Sequence, residues 1–181
     1  GEALKRLKKY YPDLIVILPT IATLAVYVRE ISSSWSVPTI VIIESEDKFN
    51  AMAASNAAIA ASGTVSLELA MARVPSVITY RLPWLTYFVV KRLSLVKFAT
   101  LINIILDREI VPELLQGDCS ATKIFNSVSH ILESGGEDQV LESRKALELI
   151  GMGGEQPSIR AARMFLNIVA KETNNTVSYT K

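Results

Sequence analysis

The 181 residues carry nineteen basic and eighteen acidic side chains, a formal charge of +1, which supplies none of the broad positive field that a nucleic-acid binder needs. Half the residues are hydrophobic, so one globular unit can form a core without disulfide or metal staples. A single cysteine, Cys119, and a single histidine, His130, exclude an intrachain disulfide and argue against a transition-metal cluster, a usage that fits a reducing, cytosolic compartment.

Gly1 stands where a methionine would, and the charged, amphipathic stretch Glu2 to Lys9 reads as the interior of a longer chain rather than a signal peptide. Short, wholly apolar runs then alternate with longer helical ones, as a parallel sheet buried on both faces requires. Strands are expected at Leu14 to Leu18, Thr39 to Ile43, Ala57 to Ala61 and Ser76 to Tyr80, with helices near Thr20 to Glu30, Asp47 to Ala54 and Thr64 to Ala72 as crossovers. This predicts a doubly wound α/β domain. Ser32-Ser33-Ser34, Arg73-Val74-Pro75, Gly135-Gly136 and Gly151 to Gly154 mark loops. Leu14 to Val28 offers about fifteen mostly apolar residues against the ~20 of a membrane span. Leu82 to Val90 is shorter and is bounded by Arg81 and by Lys91-Arg92, so neither is read as spanning. After residue 106 strands are expected to stop, and helices follow at roughly Ser120 to Leu132, Asp138 to Ile150 and Ser158 to Ala170.

The stretch with most chemistry in it is Ala60-Ala61-Ser62-Gly63-Thr64-Val65-Ser66-Leu67-Glu68, a strand that runs through a Ser-Gly-Thr turn into a helix. Unpartnered N–H groups and the positive end of the dipole at a helix start suit a phosphate, and a glycine there lets a ligand approach the backbone. Glu68, four residues beyond Thr64 on the same helix face, suits a ribose diol. The same residues also fit an ordinary helix start, with Ser62 as N-cap, Gly63 as a tight turn and Glu68 as a solvated side chain. Spacing alone leaves both open.

SGTVSLELAMARVPSVITYR followed by LINIILDREIVPELLQ resembles the lipid-A-disaccharide synthase family in order and spacing, and a looser likeness runs from about Tyr11 to the final helix. The resemblance implies a fold: an α/β, doubly wound, parallel-sheet Rossmann-like domain, the C-terminal half of a two-domain GT-B glycosyltransferase with extra C-terminal helices. Residues 1–156 would form the UDP-binding domain, lacking its first strand. Residues 157–181 would form a helix and tail crossing to an N-terminal domain that lies outside this chain. It implies transfer of 2,3-diacylglucosamine from its UDP derivative to 2,3-diacylglucosamine 1-phosphate, giving lipid A disaccharide 1-phosphate and UDP, without cofactor or metal. Ser62, Gly63 and Thr64 would hold the diphosphate, Glu68 the ribose, and Arg81 and Asn103 the diphosphate or donor sugar, while Tyr80 shapes the pocket. The acceptor and the catalytic base would belong to the N-terminal domain, so this chain alone is expected to be inactive. Ile102 and Asp107 depart from the family's usual proline and small residue around Asn103, and the family's upstream Leu-Pro-Gly-Ser-Arg-like loop is not in this sequence.

Trp84, Tyr87, Phe88 and Lys91 recur at helical spacing beside Arg92, a mixture suited to a membrane interface or to a packed domain interface; the resemblance implies that such a membrane would be the inner face of a bacterial inner membrane, contacted peripherally. His130 reads as a partner for a helix C-terminus, and Asp107-Arg108-Glu109 as a solvated turn rather than a metal motif. An unpartnered apolar face on the last helix would favour dimers, domain-swapped ones included. Other readings remain at this stage: a peptidoglycan glucosaminyltransferase, a UDP-sugar epimerase, or a non-catalytic nucleotide-binding or membrane-scaffolding module.

Overall fold

The computed structural model describes residues 1–43, 45–61, 63–84, 92 and 97–177. Helix α1 (Glu2–Tyr10) leads to β1 (Val16–Pro19), and a 3-10 turn (Ala22–Leu24) with α2 (Ala25–Ser33) carries the chain on to β2 (Thr39–Ile42). The next elements are α3 (Ser45–Ala53), β3 (Ala58–Ala60), α4 (Gly63–Met71) and β4 (Ser76–Tyr80). Beyond them lie α5 (Leu101–Leu106), β5 (Glu113–Leu115), a second 3-10 turn (Gln116–Asp118), α6 (Ala121–Ser134), α7 (Glu137–Leu149) and α8 (Pro157–Val177). The chain divides into two compact units, Gly1–Ala146 and Leu147–Lys181. The first contains both sheets; in the second, α8 leaves Met164, Phe165, Leu166 and Ile168 exposed.

Every ladder is parallel, so each connection needs a crossover, and the helices between strands supply it. β1 pairs with β2 from Val16 opposite Thr39 to Pro19 opposite Ile42. In the other sheet β4 is central, with Ala58 opposite Ser76 on one side and Ile78 opposite Glu113 on the other. The expectation that strands stop after residue 106 is therefore corrected. β5 is only three half-buried residues long and begins with a glutamate, so neither length nor apolar run betrays it in the sequence.

Register assigns the faces. Ile59 and Val77 are opposite one another and share a face, while Ala58, Ala60, Ser76 and Ile78 share the other. On the first face Val77 packs with Leu7 of α1 and with Val128 and Ile131 of α6. The amphipathic reading of residues 2 to 9 has its cause here, since α1 buries Ala3 and Leu7, one turn apart, and leaves Lys5, Arg6 and Lys9 exposed. On the second face Ala58 and Ala60 pack against Met52 of α3, Leu69 of α4 and Val74. Small alanines in β3 let α3 and α4 come close to the sheet. At the turn between α6 and α7, Gly136 has φ +64°, and a β-carbon there would fall 2.5 Å from Pro75 Cβ, so glycine is needed both for conformation and for room.

One buried polar knot fixes the far side of the second sheet. Asn103 is fully buried; its Oδ1 accepts from the backbone N–H of Ile110 (2.8 Å) and Val111 (2.9 Å), and its Nδ2 donates to Val111 O (2.8 Å) and to Glu113 Oε1 (2.8 Å). The Glu113 carboxylate also accepts from Ala99 N and Thr100 N, both at 2.8 Å, and Thr100 caps α5 by accepting from Asn103 N at 3.3 Å. Asn103→Ala would leave several buried groups without partners, and a loss of at least about 2 kcal/mol is expected in urea unfolding. A change below about 0.5 kcal/mol, the level of ordinary surface substitutions, would contradict this account. Leu7→Ala should cost about 2–4 kcal/mol by the same measurement, because a cavity would open between α1, α6 and β4.

Candidate nucleotide-phosphate site

Open α/β sheets bind ligands beyond the carboxyl ends of their strands. At that edge of β3 the chain enters α4 at Gly63, whose successors Thr64 and Val65 belong to the first turn. Their N–H groups lie where a helix has no carbonyls to offer them, and the dipole adds positive potential. Ser66, buried on the same turn, donates to Gly63 O at 2.5 Å and so belongs to the helix rather than to the edge. Thr64 is exposed.

Gly63 is explained by a neighbour that the sequence did not announce. A β-carbon on it would lie 2.7 Å from the carbonyl oxygen of Ala99, so only glycine lets the 99–100 backbone close against the start of α4. That backbone is held in turn by the Glu113 carboxylate. The glycine read as making room for a ligand thus makes room, at its Cα, for protein.

Glu68 lies one helical turn beyond Thr64 and is about one-third exposed; its Oε2 accepts from Lys48 Nζ at 2.6 Å. The lysine comes from α3, which starts beyond the carboxyl end of β2 just as α4 starts beyond that of β3. Tyr80, the last residue of β4, and Arg81 just beyond it are exposed, and the Arg81 guanidinium donates to the carbonyl of Cys119. With its amide turned to satisfy both partners, Gln116 donates to Leu82 O (3.2 Å) and accepts from Leu82 N (3.0 Å). The loops after β4 and β5 are therefore tied together at this edge.

The sequence-predicted residues divide accordingly. Gly63, Thr64 and Glu68 follow the carboxyl end of β3, Tyr80 is the last residue of β4, and Arg81 follows it. Asn103 is corrected: it is fully buried and its amide is engaged by backbone and by Glu113, so it shapes the 99–113 segment and has no free donor for a phosphate or sugar. Ser62, Tyr87, Phe88 and Lys91 lie outside the described residues, whereas Trp84 and Arg92 are exposed. His130 is not at a helix end but exposed within α6, in a cleft it shares with Ile110, Pro112 and Gln139. Pro112 precedes β5, so that cleft lies toward the amino edge of the sheet, away from the α4 start. There the Lys145 hydrogen bond, with a smaller contribution from Arg108 against the opposing effect of burial, holds the Glu142 carboxyl below its ordinary value. Asp107 has φ +48° and ends α5, while Arg108 pairs with Glu142, as befits a solvated turn. Lys48 and Glu113 are the residues that sequence reasoning missed: Glu113 stood in a quoted motif without a role, and nothing local marks Lys48.

Comparison with known proteins agrees with this architecture. The family model described as lipid-A-disaccharide synthetase matches residues 2–169. A lipid-A-disaccharide synthase from Paramagnetospirillum magneticum is 44% identical over 97% of this chain and 46% of its own length. The corresponding protein of Rhodospirillum centenum is 43% identical over 94% of this chain and 43% of its own length, and that of Bradyrhizobium diazoefficiens is 34% identical over 94% and 44%. The chain thus spans less than half the length of these curated relatives. Matched along nearly all of its own length, it belongs to the lipid-A-disaccharide synthase family.

Proposed function

We propose that this chain supplies the donor side of an inverting glycosyltransferase that moves 2,3-diacylglucosamine from its UDP derivative to 2,3-diacylglucosamine 1-phosphate, releasing UDP. The observation that carries the reading is the start of α4 at the carboxyl edge of a parallel sheet, with a carboxylate one turn further along it. In this reading Ser62, Gly63 and Thr64 hold the diphosphate, and Glu68 accepts from the ribose diol. Arg81, whose guanidinium has five N–H donors and gives one to Cys119, has others for the diphosphate or donor sugar. Tyr80 borders the pocket. Acceptor binding and the base that activates its hydroxyl belong to the remainder of the longer family protein, so the chain alone is expected to lack transferase activity.

The sheet topology supports a further part of the same reading. A doubly wound sheet has its first strand at the centre, with later strands added outward on either side. Among the described residues no ladder joins β1 to β3; Val16, Ile17 and Leu18 are only half-buried and Ile59 is exposed, whereas Val77 in the central strand β4 is fully buried. A strand from elsewhere in the longer protein fits between β1 and β3, bringing one more wall of the site. Among the described residues no helix is long and apolar enough to cross a membrane. The exposed Trp84 and Arg92 suit peripheral contact with an inner-membrane surface bearing the acylated substrates, and the exposed apolar residues of α8 suit association with the N-terminal domain or a second copy.

Titration of UDP into the chain, followed by calorimetry, tests the reading. Binding in the millimolar range, about 4 kcal/mol, is expected, and Glu68→Ala should weaken it about tenfold through loss of charge-assisted hydrogen bonds. Binding indifferent to Glu68 would remove the ribose assignment. Silence that persists after the upstream strand and loop are restored would remove the donor-site reading itself.

A further inference from the structure

We propose that Lys48 is a positioning residue of the donor site, holding the Glu68 carboxylate in the orientation that receives the ribose diol. The inference rests on the donor-site reading above and assigns a role to a residue which that reading does not use. Glu68 is about one-third exposed on α4, and an unrestrained glutamate there would sample many rotamers before a ligand arrived. Among the described residues its carboxylate takes a hydrogen bond from Lys48 alone, at 2.6 Å on Oε2. A carboxylate has about four acceptor positions over its two oxygens, so this contact fixes the group and leaves acceptor capacity for two neighbouring hydroxyls. A functional side chain locked by a second partner loses less freedom when its ligand binds.

Lys48 is itself restrained, its ammonium lying 5.7 Å from the centroid of the Phe49 ring. A purely structural tie explains the pair less well. α3 and α4 are already joined through Met52, Leu69 and Val74, and an ion pair about one-third exposed adds little to stability. Nor does the lysine help its own helix: Lys48 is the fourth residue of α3, close to an end where the dipole disfavours a cation.

The test compares UDP with 2′,3′-dideoxy-UDP, which keeps the diphosphate but has no diol, on the unmodified chain and on Lys48→Met and Lys48→Arg. Lys48→Met should weaken UDP binding about five- to tenfold, with a loss at least threefold greater than for the dideoxy analogue, while Tm stays within a few degrees. Lys48→Arg should recover most of the UDP affinity. Equal losses for both ligands, or no loss for either, would overturn the positioning role. Should Glu68→Ala also leave UDP binding unchanged, the ribose assignment fails and the role of Lys48 falls with it; should UDP binding stay absent even after the upstream strand and loop are restored, the donor-site reading fails first.

Discussion

The arrangement of residues 99–113 beside the second sheet depends on the contact between buried Asn103 and half-buried Glu113. The two side chains satisfy backbone N–H groups at residues 99, 100, 110 and 111 and join α5 to β5. Around the fully buried Asn103 such a knot is rigid when complete and costly when broken, because little water reaches a missing partner there. Its consequence reaches the site through one close approach. With Ala99 and Thr100 held by Glu113, the Ala99 carbonyl lies against Gly63 and limits where α4 can begin.

That limit matters for electrostatics. A helix start attracts an anion only if its first N–H groups are fixed and open to the ligand, and the interaction fades within a turn. Helix α4 is held from behind by Leu69 against Met52 and Val74 and in front by the 99–100 backbone. The loops after β4 and β5 are fastened to one another by Arg81 with Cys119 and by Gln116 with Leu82. The start of α4 and the loops after β4 and β5 are thus each held by several contacts at this edge.

The sequence made the alternation of strands and helices legible, because β1 to β4 are short apolar runs and the helices between them carry loop signals at their ends. It did not reveal β5, whose three residues show no period, nor α5, which is held by tertiary contacts more than by pattern. The motif residues stand out in the sequence, but their surroundings do not. Asn103 and Glu113 stand in stretches that resemble the family, and resemblance cannot tell a ligand-facing amide from one saturated inside the protein. Lys48 was invisible because its partner, Glu68, is twenty residues away on another helix. At Gly63 the close approach that glycine permits is to the Ala99 carbonyl, a contact no local pattern announces.

If the start of α4 receives the phosphates of a nucleotide, backbone amide shifts in an NMR titration will report it. With UDP, the largest changes should fall on Gly63, Thr64 and Val65, and uridine at the same concentration should leave those amides nearly unmoved. Shifts confined to the cleft around His130 and Gln139, or equal responses to UDP and uridine at the α4 start, would contradict it.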